Sequence, residues 1–560
     1  MPRNILITTA LTYANGEIHL GHLLEAIQAD IWKRFQLICG NKCYFISGSD
    51  AHGAPIMLAA EKNHIAPEIM VEQIRETHIT DYKKFHIDFD NYHSTHSDEN
   101  KKLSIEIYNR LKENGDIATK TITQLYDPEK KLFLADRFVK GECPKCGTKD
   151  QYGDNCESCG ATYEPTDLKN PRSAITGAVP ILKESEHYFF ALDHYADFLN
   201  TWTQSGVLQS SISNKLQEWF KAGLQQWNIS RDAPYFGFEM PDHPGKYFYV
   251  WLDAPIGYMA SFENFCTTIA SGDAREGLRS NPQQAYDTFN GFWRANAKTE
   301  LYHFIGKDII AFHALFWPAM LQATDHRLPT AIFAHGFVTV NGEKMSKSRG
   351  TFITATQFAE TISTEYLRYY YASKLNNQVE DIDFNFTDFA AKINSDLVGK
   401  YVNLASRCAG FITKKFNGKL SAQLHDEKLF QEFVFASESI AKAYEELNYH
   451  RAVKEIMLLA DKANQYIDLN KPWSLAKEIG RENDIQLICT QGLNLFRLLT
   501  LYLKPILPIT AAKAEGFLNI SKLKWTDCAT PLLNHSINLF EPLMQRITPE
   551  QIACFDKAAN

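Results

Sequence analysis

Residues 5–22 read Ile5-Leu6-Ile7-Thr8-Thr9-Ala10-Leu11-Thr12-Tyr13-Ala14-Asn15-Gly16-Glu17-Ile18-His19-Leu20-Gly21-His22. The opening run is apolar and β-branched with no turn former, which predicts a buried strand. Beyond it, Leu20, Leu23, Leu24, Ile27, Ile31 and Phe35 fall at helical spacing, so a helix begins beside the two histidines. Asn15-Gly16 supplies the turn between them. A helix start offers unpaired N–H groups and a positive dipole end, which together suit a phosphate. His19 and His22 stand three apart and share one face of the first turn. Charge on either ring is disfavoured at that positive end, so the prediction is two neutral imidazoles donating N–H to phosphate or ribose oxygens. Gly21 leaves space where a flat base lies on the backbone. Two histidines at a helix start are, by themselves, equally readable as ordinary polar residues.

A second element far along the chain removes that ambiguity. Gly342-Glu343-Lys344-Met345-Ser346-Lys347-Ser348-Arg349-Gly350 is a glycine-flanked loop whose two lysines are three apart, a form suited to reaching a polyphosphate. A His-x-Gly-His turn after the first strand, paired with a late Lys-Met-Ser-Lys-Ser loop, resembles the nucleotide motifs of class I aminoacyl-tRNA synthetases.

The chain has 560 residues, 45% of them hydrophobic, enough for three or four domains. Its net charge of −8 gives no global basic footprint, so any RNA contact uses local patches. There is no charged-then-apolar leader, and no apolar run approaches the roughly 18 residues of a membrane span. A cytoplasmic protein is expected. Eleven cysteines, an odd number, argue against a disulfide framework.

Residues 1–97 alternate strand and helix patterns, as in the first half of a doubly wound α/β sheet. Cys43-Tyr44-Phe45-Ile46 predicts a second strand, ending in Ser47-Gly48-Ser49-Asp50-Ala51-His52-Gly53. Ligands sit at the carboxyl ends of such strands, which places Asp50 beside one. Residues 98–246 read as an insertion. The sheet is expected to resume over 247–337, with a strand over residues 247–252 and another over 301–305. Residues 273–296 read as a surface insertion. Residues 338–387 form a connecting subdomain with the lysine loop, 388–535 a helical bundle, and 536–560 a tail that packs back on the body. The expected fold is thus a Rossmann-type parallel sheet with an inserted connective domain and a C-terminal α-helical bundle.

Within the insertion, Cys143-Pro144-Lys145-Cys146-Gly147 and Cys156-Glu157-Ser158-Cys159-Gly160 are two Cys-x-x-Cys pairs, each followed by glycine. That spacing predicts one tetrahedral four-thiolate Zn2+ site, and four thiolates leave no open position, so the metal is structural. The other seven cysteines are scattered and read as small core residues.

Over nearly the whole chain the sequence resembles the methionyl-tRNA synthetase family. The residues that carry the resemblance are the His19 turn, Ser49 to Gly53, the cysteine knuckle, Val250-Trp251-Leu252-Asp253-Ala254-Pro255-Ile256-Gly257-Tyr258, Phe304 to Asp308, the lysine loop, and Lys471-Pro472-Trp473. The resemblance implies activation of methionine by ATP with Mg2+, then transfer to the 3′-terminal adenosine of initiator and elongator tRNA(Met). It implies ATP contacts from His19, Gly21, His22, Gly306, Asp308, Val338 and Lys347, with His19, His22, Lys344 and Lys347 carrying catalysis. It implies a methionine pocket in which the Leu11 N–H and the Tyr258 hydroxyl meet the thioether, and Asp50 pairs with the ammonium. Tyr13, Trp251, Pro255, Ile309 and His313 wall that pocket. Asn403, Arg407 and Trp473 correspond to anticodon readers, although each is also an ordinary residue of a helical bundle.

Leu20 stands where many class I enzymes have isoleucine, and Thr12 where some relatives have proline; neither change is expected to disturb the site. The chain has one set of four cysteines, and it ends at Asn560 without the β-barrel through which some relatives dimerise, so a monomer is expected. Isoleucyl, valyl and leucyl enzymes carry large editing domains, which the short insertion disfavours. A cysteinyl enzyme places zinc in the amino-acid pocket, far from these cysteines. A non-catalytic zinc-knuckle RNA-binding protein leaves both histidines and both lysines without a task.

Overall fold

In the computed structural model, which describes residues 2–153, 156, 158–161, 163–271, 282–345 and 351–556, strand β1 (Asn4–Thr9) sends alternate side chains into two cores. Ile5 and Ile7 pack with helix α1 (Leu20–Ile38), and Leu6 packs on the opposite face. This is the period-two alternation of a strand covered on both sides. Strand β2 (Lys42–Asp50) repeats it, with Phe45 in the first core and Ile46 in the second. Helix α2 (Pro67–Lys84) leads to strand β3 (Asn91–Ser94), and helix α3 (Asp98–Glu113) follows.

The chain then leaves the sheet. Strands β4 (Ile117–Asp127) and β5 (Ile181–Phe190) form a long antiparallel pair, in register from Ile117 opposite Phe190 to Tyr126 opposite Ile181. The cysteine pairs lie in the segment that joins them. Helix α4 (Val250–Ser271) brings the chain back beneath the sheet, where it packs on β2, β3 and α3. Strands β6 (Glu300–Gly306) and β7 (Ala331–His335) complete a parallel sheet of order β7-β6-β1-β2-β3. Connections run outward from β1 in both directions, so the ligand crevice lies beyond its carboxyl end.

The strand expected over residues 247–252 is not formed as such. Only Lys246–Phe248 is extended, pairing antiparallel with Ser230–Asp232 away from the main sheet, and the helix begins at Val250. Residues 252–262 of α4 are all buried. The apolar and aromatic run of residues 247–252 crosses the helix start at Val250 without a polar break, so it imitates a strand. Of the expected surface insertion, residues 272–281 lie outside the described residues, and Pro282–Trp293 is a helix that buries Phe292 and Trp293.

Strand β8 (Val338–Val340) pairs in parallel with β9 (Ile382–Phe384) in the connecting region. The bundle follows: α5 (Asn403–Phe416), α6 (Glu427–Glu445), α7 (Tyr449–Asn470) and α8 (Glu482–Leu503). Its core is continuous with the β1 side of the sheet. Phe35 of α1 stacks on Tyr444 at 5.1 Å, and the Tyr449 hydroxyl donates to the Gln28 carbonyl at 2.9 Å. The fully buried Arg368 guanidinium meets the buried Asp30 carboxylate at 2.7 Å and also donates to the Phe85, Pro505 and Ile506 carbonyls. Such a pair is tolerated inside because each guanidinium nitrogen finds an acceptor. At the end of the chain, Phe555 stacks on Phe386 at 4.6 Å and closes the tail onto the body. Among the described residues, no helix is long and apolar enough to cross a membrane.

Candidate active site

The turn after β1 ends in a cap built from the two histidines. His19 is the N-cap of α1; its Nδ1 accepts from the Gly21 N–H at 3.1 Å, and its own N–H donates to His22 Nδ1 at 3.3 Å. The rings stack at 3.8 Å. With both Nδ1 atoms accepting, each neutral ring carries its proton on Nε2. Burial, reinforced by His19, holds His22 well below the usual imidazole range. The expectation of neutral donors at this helix start therefore has a structural cause. A Cβ at Gly21 would lie 2.9 Å from the His19 ring and 3.0 Å from the Met345 methyl, so a side chain there would displace the capping ring.

A cavity of about 490 Å³ opens beyond the strand ends. It gathers Leu11, Tyr13, His19, Gly21, His22, Gly306, Asp308, Ile309, Val338 and Lys344 from the expected set. Residues 300 positions apart meet because β1 and β6 are neighbours. Lys344 is exposed at its rim, and Lys347 lies outside the described residues. Glu25, Tyr82 and His335 also line the cavity and were not foreseen. Glu25 was findable, since it follows His22 by three residues on the same helical face. Burial raises its pKa, and His335 Nε2 approaches it at 3.3 Å. Tyr82 and His335 carry no local signal; only the tertiary fold brings them in.

Asp50, Trp251, Pro255, Tyr258 and His313 do not line that cavity; they stand behind it, with Pro255, Tyr258 and His313 buried and Asp50 and Trp251 half-buried. His313 Nδ1 donates to the Ile309 carbonyl at 3.0 Å, so Nε2 accepts the Tyr258 hydroxyl proton at 2.7 Å. Burial lowers the His313 pKa to about 4. The Tyr258 hydroxyl, expected to meet the thioether, thus directs its proton at His313. The Leu11 N–H faces the Tyr258 hydroxyl. Trp251 stacks on Phe312 at 3.6 Å with planes 7° apart. Pro255 lies inside α4, and Gly257 admits the close approach of Leu11, whose Cδ1 is 2.7 Å from a Cβ built there.

Asp50 ends β2 half-buried, with its Oδ1 atom enclosed and without a hydrogen-bond partner among the described residues. Burial, then the nearby Asp253, raises its pKa well above the usual carboxylate range. Asp253 itself pairs with His52, whose Nε2 lies 3.0 Å from His96 Nδ1. A buried carboxylate oxygen without a partner is costly unless a cation arrives.

In the insertion the sulfur atoms of Cys143, Cys146, Cys156 and Cys159 all lie within 4.8 Å of one another. Cys143 and Cys159 sulfurs are 3.8 Å apart, Cys146 and Cys156 sulfurs 3.6 Å. A tetrahedral ion with bonds of about 2.3 Å to sulfur requires an edge of roughly 3.8 Å. The Cys146 and Cys159 N–H groups point at the Cys143 and Cys156 sulfurs, each at 3.4 Å. Gly147 (φ +75°) and Gly160 (φ +69°) turn the chain back in the left-handed region. The donor set and its size fit Zn2+.

On the bundle, Asn403 and Arg407 stand one turn apart on α5 and face α7, where Asn403 donates to Asn464 at 3.3 Å and Arg407 pairs with Asp468. The Arg407 guanidinium lies 4.6 Å from the Trp473 ring centroid, and Trp473 is 38% exposed. Lys471, in the left-handed region at φ +43°, ends α7 and, with Pro472, sets Trp473 on this face. The three expected residues are therefore brought together.

The sheet order, the histidine cap and the cavity at the switch point are those of a class of nucleotide-binding α/β enzymes, and the family model described as tRNA synthetases class I (M) matches residues 5–409. A second, the anticodon binding domain of methionyl tRNA ligase, matches residues 418–558. The chain belongs to the methionyl-tRNA synthetase family. It is similar in fold to Mycobacterium tuberculosis methionyl-tRNA synthetase in complex with methionyl-adenylate, at 24% identity and a TM-score of 0.79 over 97% of this chain and 99% of that one. The apo form of the same enzyme gives 22% identity and a TM-score of 0.72 over 98% and 99%.

Proposed function

We infer that the protein is a methionine–tRNA ligase, joining L-methionine to ATP to give methionyl-adenylate and pyrophosphate, then passing methionine to the 3′-terminal adenosine of initiator and elongator tRNA(Met). The observation that carries this reading is the meeting of the His19 and His22 cap, Gly306, Asp308 and Lys344 in one cavity of a chain matched over residues 5–409 by the family.

ATP lies along that cavity, with its base and ribose against Gly21, Gly306, Asp308 and Val338. The Nε2–H groups of His19 and His22 meet the phosphates, and Lys344 and Lys347 meet charge developing on the triphosphate. Mg2+ bound with ATP supplies further positive charge there. No side-chain base is needed, because the substrate carboxylate is already a nucleophile; alignment and electrostatic stabilisation carry the step. Asp50 takes the methionine ammonium, for which its enclosed Oδ1 is suited. Leu11, Tyr13, Trp251, Pro255, Tyr258, Ile309 and His313 enclose the side chain, and aromatic walls suit a polarizable thioether.

Asn403, Arg407 and Trp473 read the anticodon by stacking and edge contacts. One Zn2+ holds the insertion together through four cysteines and takes no part in the reaction. The six-part division at residues 97, 246, 337, 387 and 535 serves as the domain scheme. A monomer that binds no membrane, in the cytoplasm where thiolates stay reduced, completes the proposal. The test is charging: radiolabelled methionine becomes acid-precipitable on tRNA(Met) in the presence of ATP, and absence of charging by zinc-loaded, folded protein overturns the reading.

A further inference from the structure

Helix α2 touches the nucleotide turn and the arm that follows the lysine loop at three points. The Tyr82 hydroxyl bonds Thr12 Oγ1 at 2.8 Å, just before the turn. His78 Nε2 donates to the Gly16 carbonyl at 2.7 Å inside the turn. Its pKa is lowered by burial, which keeps the ring a neutral donor beside His22. On the same face, the buried Asp81 Oδ1 accepts both the Thr356 hydroxyl at 2.7 Å and Lys84 Nζ at 3.0 Å, and Lys84 Nζ also donates to Thr356 at 2.8 Å. These three groups close a ring of three hydrogen bonds, each of which involves a charged group.

The arm that Thr356 belongs to is paired directly with the histidine turn. The Ala355 N–H donates to the Ile18 carbonyl at 2.8 Å, the Leu20 N–H to the Ile353 carbonyl at 3.3 Å, and His19 and Thr354 form an antiparallel bridge. Thr354 also caps the helix Ala355–Thr361, accepting from the Gln357 N–H at 3.1 Å. Residues 353–356, which follow the lysine loop, therefore have two anchors: backbone pairing to residues 18–20, and the Asp81 ring two residues beyond Thr354.

We propose that Asp81 and Thr356 are positioning residues for the ATP step, fixing the arm of the lysine loop against the histidine turn through α2. Both lie outside the cavity lining. The inference rests on the functional reading above. It predicts a split: loosening this anchor weakens the response to ATP, because the two nucleotide motifs lose their fixed spacing, while the methionine pocket on the other side of β1 is undisturbed.

The experiment is methionine-dependent ATP–pyrophosphate exchange on the full chain, with the melting temperature measured alongside. Thr356→Val removes the hydroxyl at constant shape, Thr356→Ser restores it, and Asp81→Asn keeps an acceptor but removes the charge. Losing a hydrogen bond to a charged group predicts kcat/KM for ATP down about tenfold in Thr356→Val and Asp81→Asn. The KM for methionine is expected to stay within twofold, with Thr356→Ser close to wild type. Equal loss toward ATP and methionine, or no loss toward ATP in folded Thr356→Val, overturns the proposal. Should Thr356→Val not fold, Asp81→Asn and Thr356→Ser are read by the same split. Wild-type protein without any exchange overturns the functional reading first, and this inference with it.

Discussion

Tyr258 donates its hydroxyl proton to His313 Nε2 across 2.7 Å, and the direction is set by His313 Nδ1 donating to the Ile309 carbonyl. The hydroxyl oxygen, not its proton, is what Tyr258 turns toward the neighbouring Leu11 N–H. Tyr258→Phe leaves His313 Nε2 buried without its donor. The KM for methionine is expected to rise about tenfold with kcat nearly unchanged, as read by exchange kinetics at varied methionine.

His313 also predicts a pH dependence. Its folded pKa, lowered to about 4 by burial, lies below the unfolded value near 6.5. Between those values the unfolded chain binds a proton that the folded one refuses, so this group's contribution to stability falls as pH drops below about 6.5 and stops falling near 4. His313→Gln is expected to show a flatter decline of melting temperature over that window.

Asp50→Asn is expected to lower kcat/KM for methionine about 100-fold, by removing the charge that faces the ammonium. The sign for stability is opposite. The folded pKa of Asp50 is raised by burial, so this group begins to oppose folding as pH rises above the unfolded value near 3.9, and its opposition grows up to the raised value. The substrate-free variant should therefore melt higher than wild type at pH 7.5, by differential scanning calorimetry.

His22→Ala removes a neutral donor from the cap of α1. Exchange is expected to slow about 100-fold, as for loss of one transition-state donor, while methionine affinity by isothermal titration calorimetry changes by less than threefold. An unchanged exchange rate removes His22 from the reaction.

The knuckle predicts one zinc per chain by elemental analysis. Cys146→Ala or chelation should abolish that stoichiometry and open the segment between β4 and β5 to proteolysis. Adenylate formation is expected to survive better than charging, because the cysteines lie outside the nucleotide cavity.

Trp473→Ala removes the exposed ring beneath Arg407. Base stacking on an aromatic ring is worth about 1–3 kcal/mol, so kcat/KM for tRNA should fall roughly ten- to 100-fold with methionine-dependent exchange unchanged. Equal loss of both activities contradicts this division of labour.

Much of this architecture was legible because its signals are local. The β-branched run at Ile5, the His19-Leu20-Gly21-His22 turn and the paired cysteines each declare themselves within a few residues. The resemblance supplied the pocket and the bundle residues. The start of helix α4 differs from the expected strand because Val250-Trp251-Leu252 extends the apolar and aromatic run of Tyr247-Phe248-Tyr249 with no polar residue to mark the change. The anchor at Asp81 and Thr356 had no sequence signal, because 275 positions separate its partners. Tyr82 and His335 reach the cavity for the same reason, through tertiary packing alone.

The most direct test of the central claim is amino-acid-dependent ATP–pyrophosphate exchange, run with each of the twenty amino acids and no tRNA. Exchange with methionine alone is the predicted result. Exchange with a different amino acid, or none at all in folded, zinc-loaded protein, would contradict it.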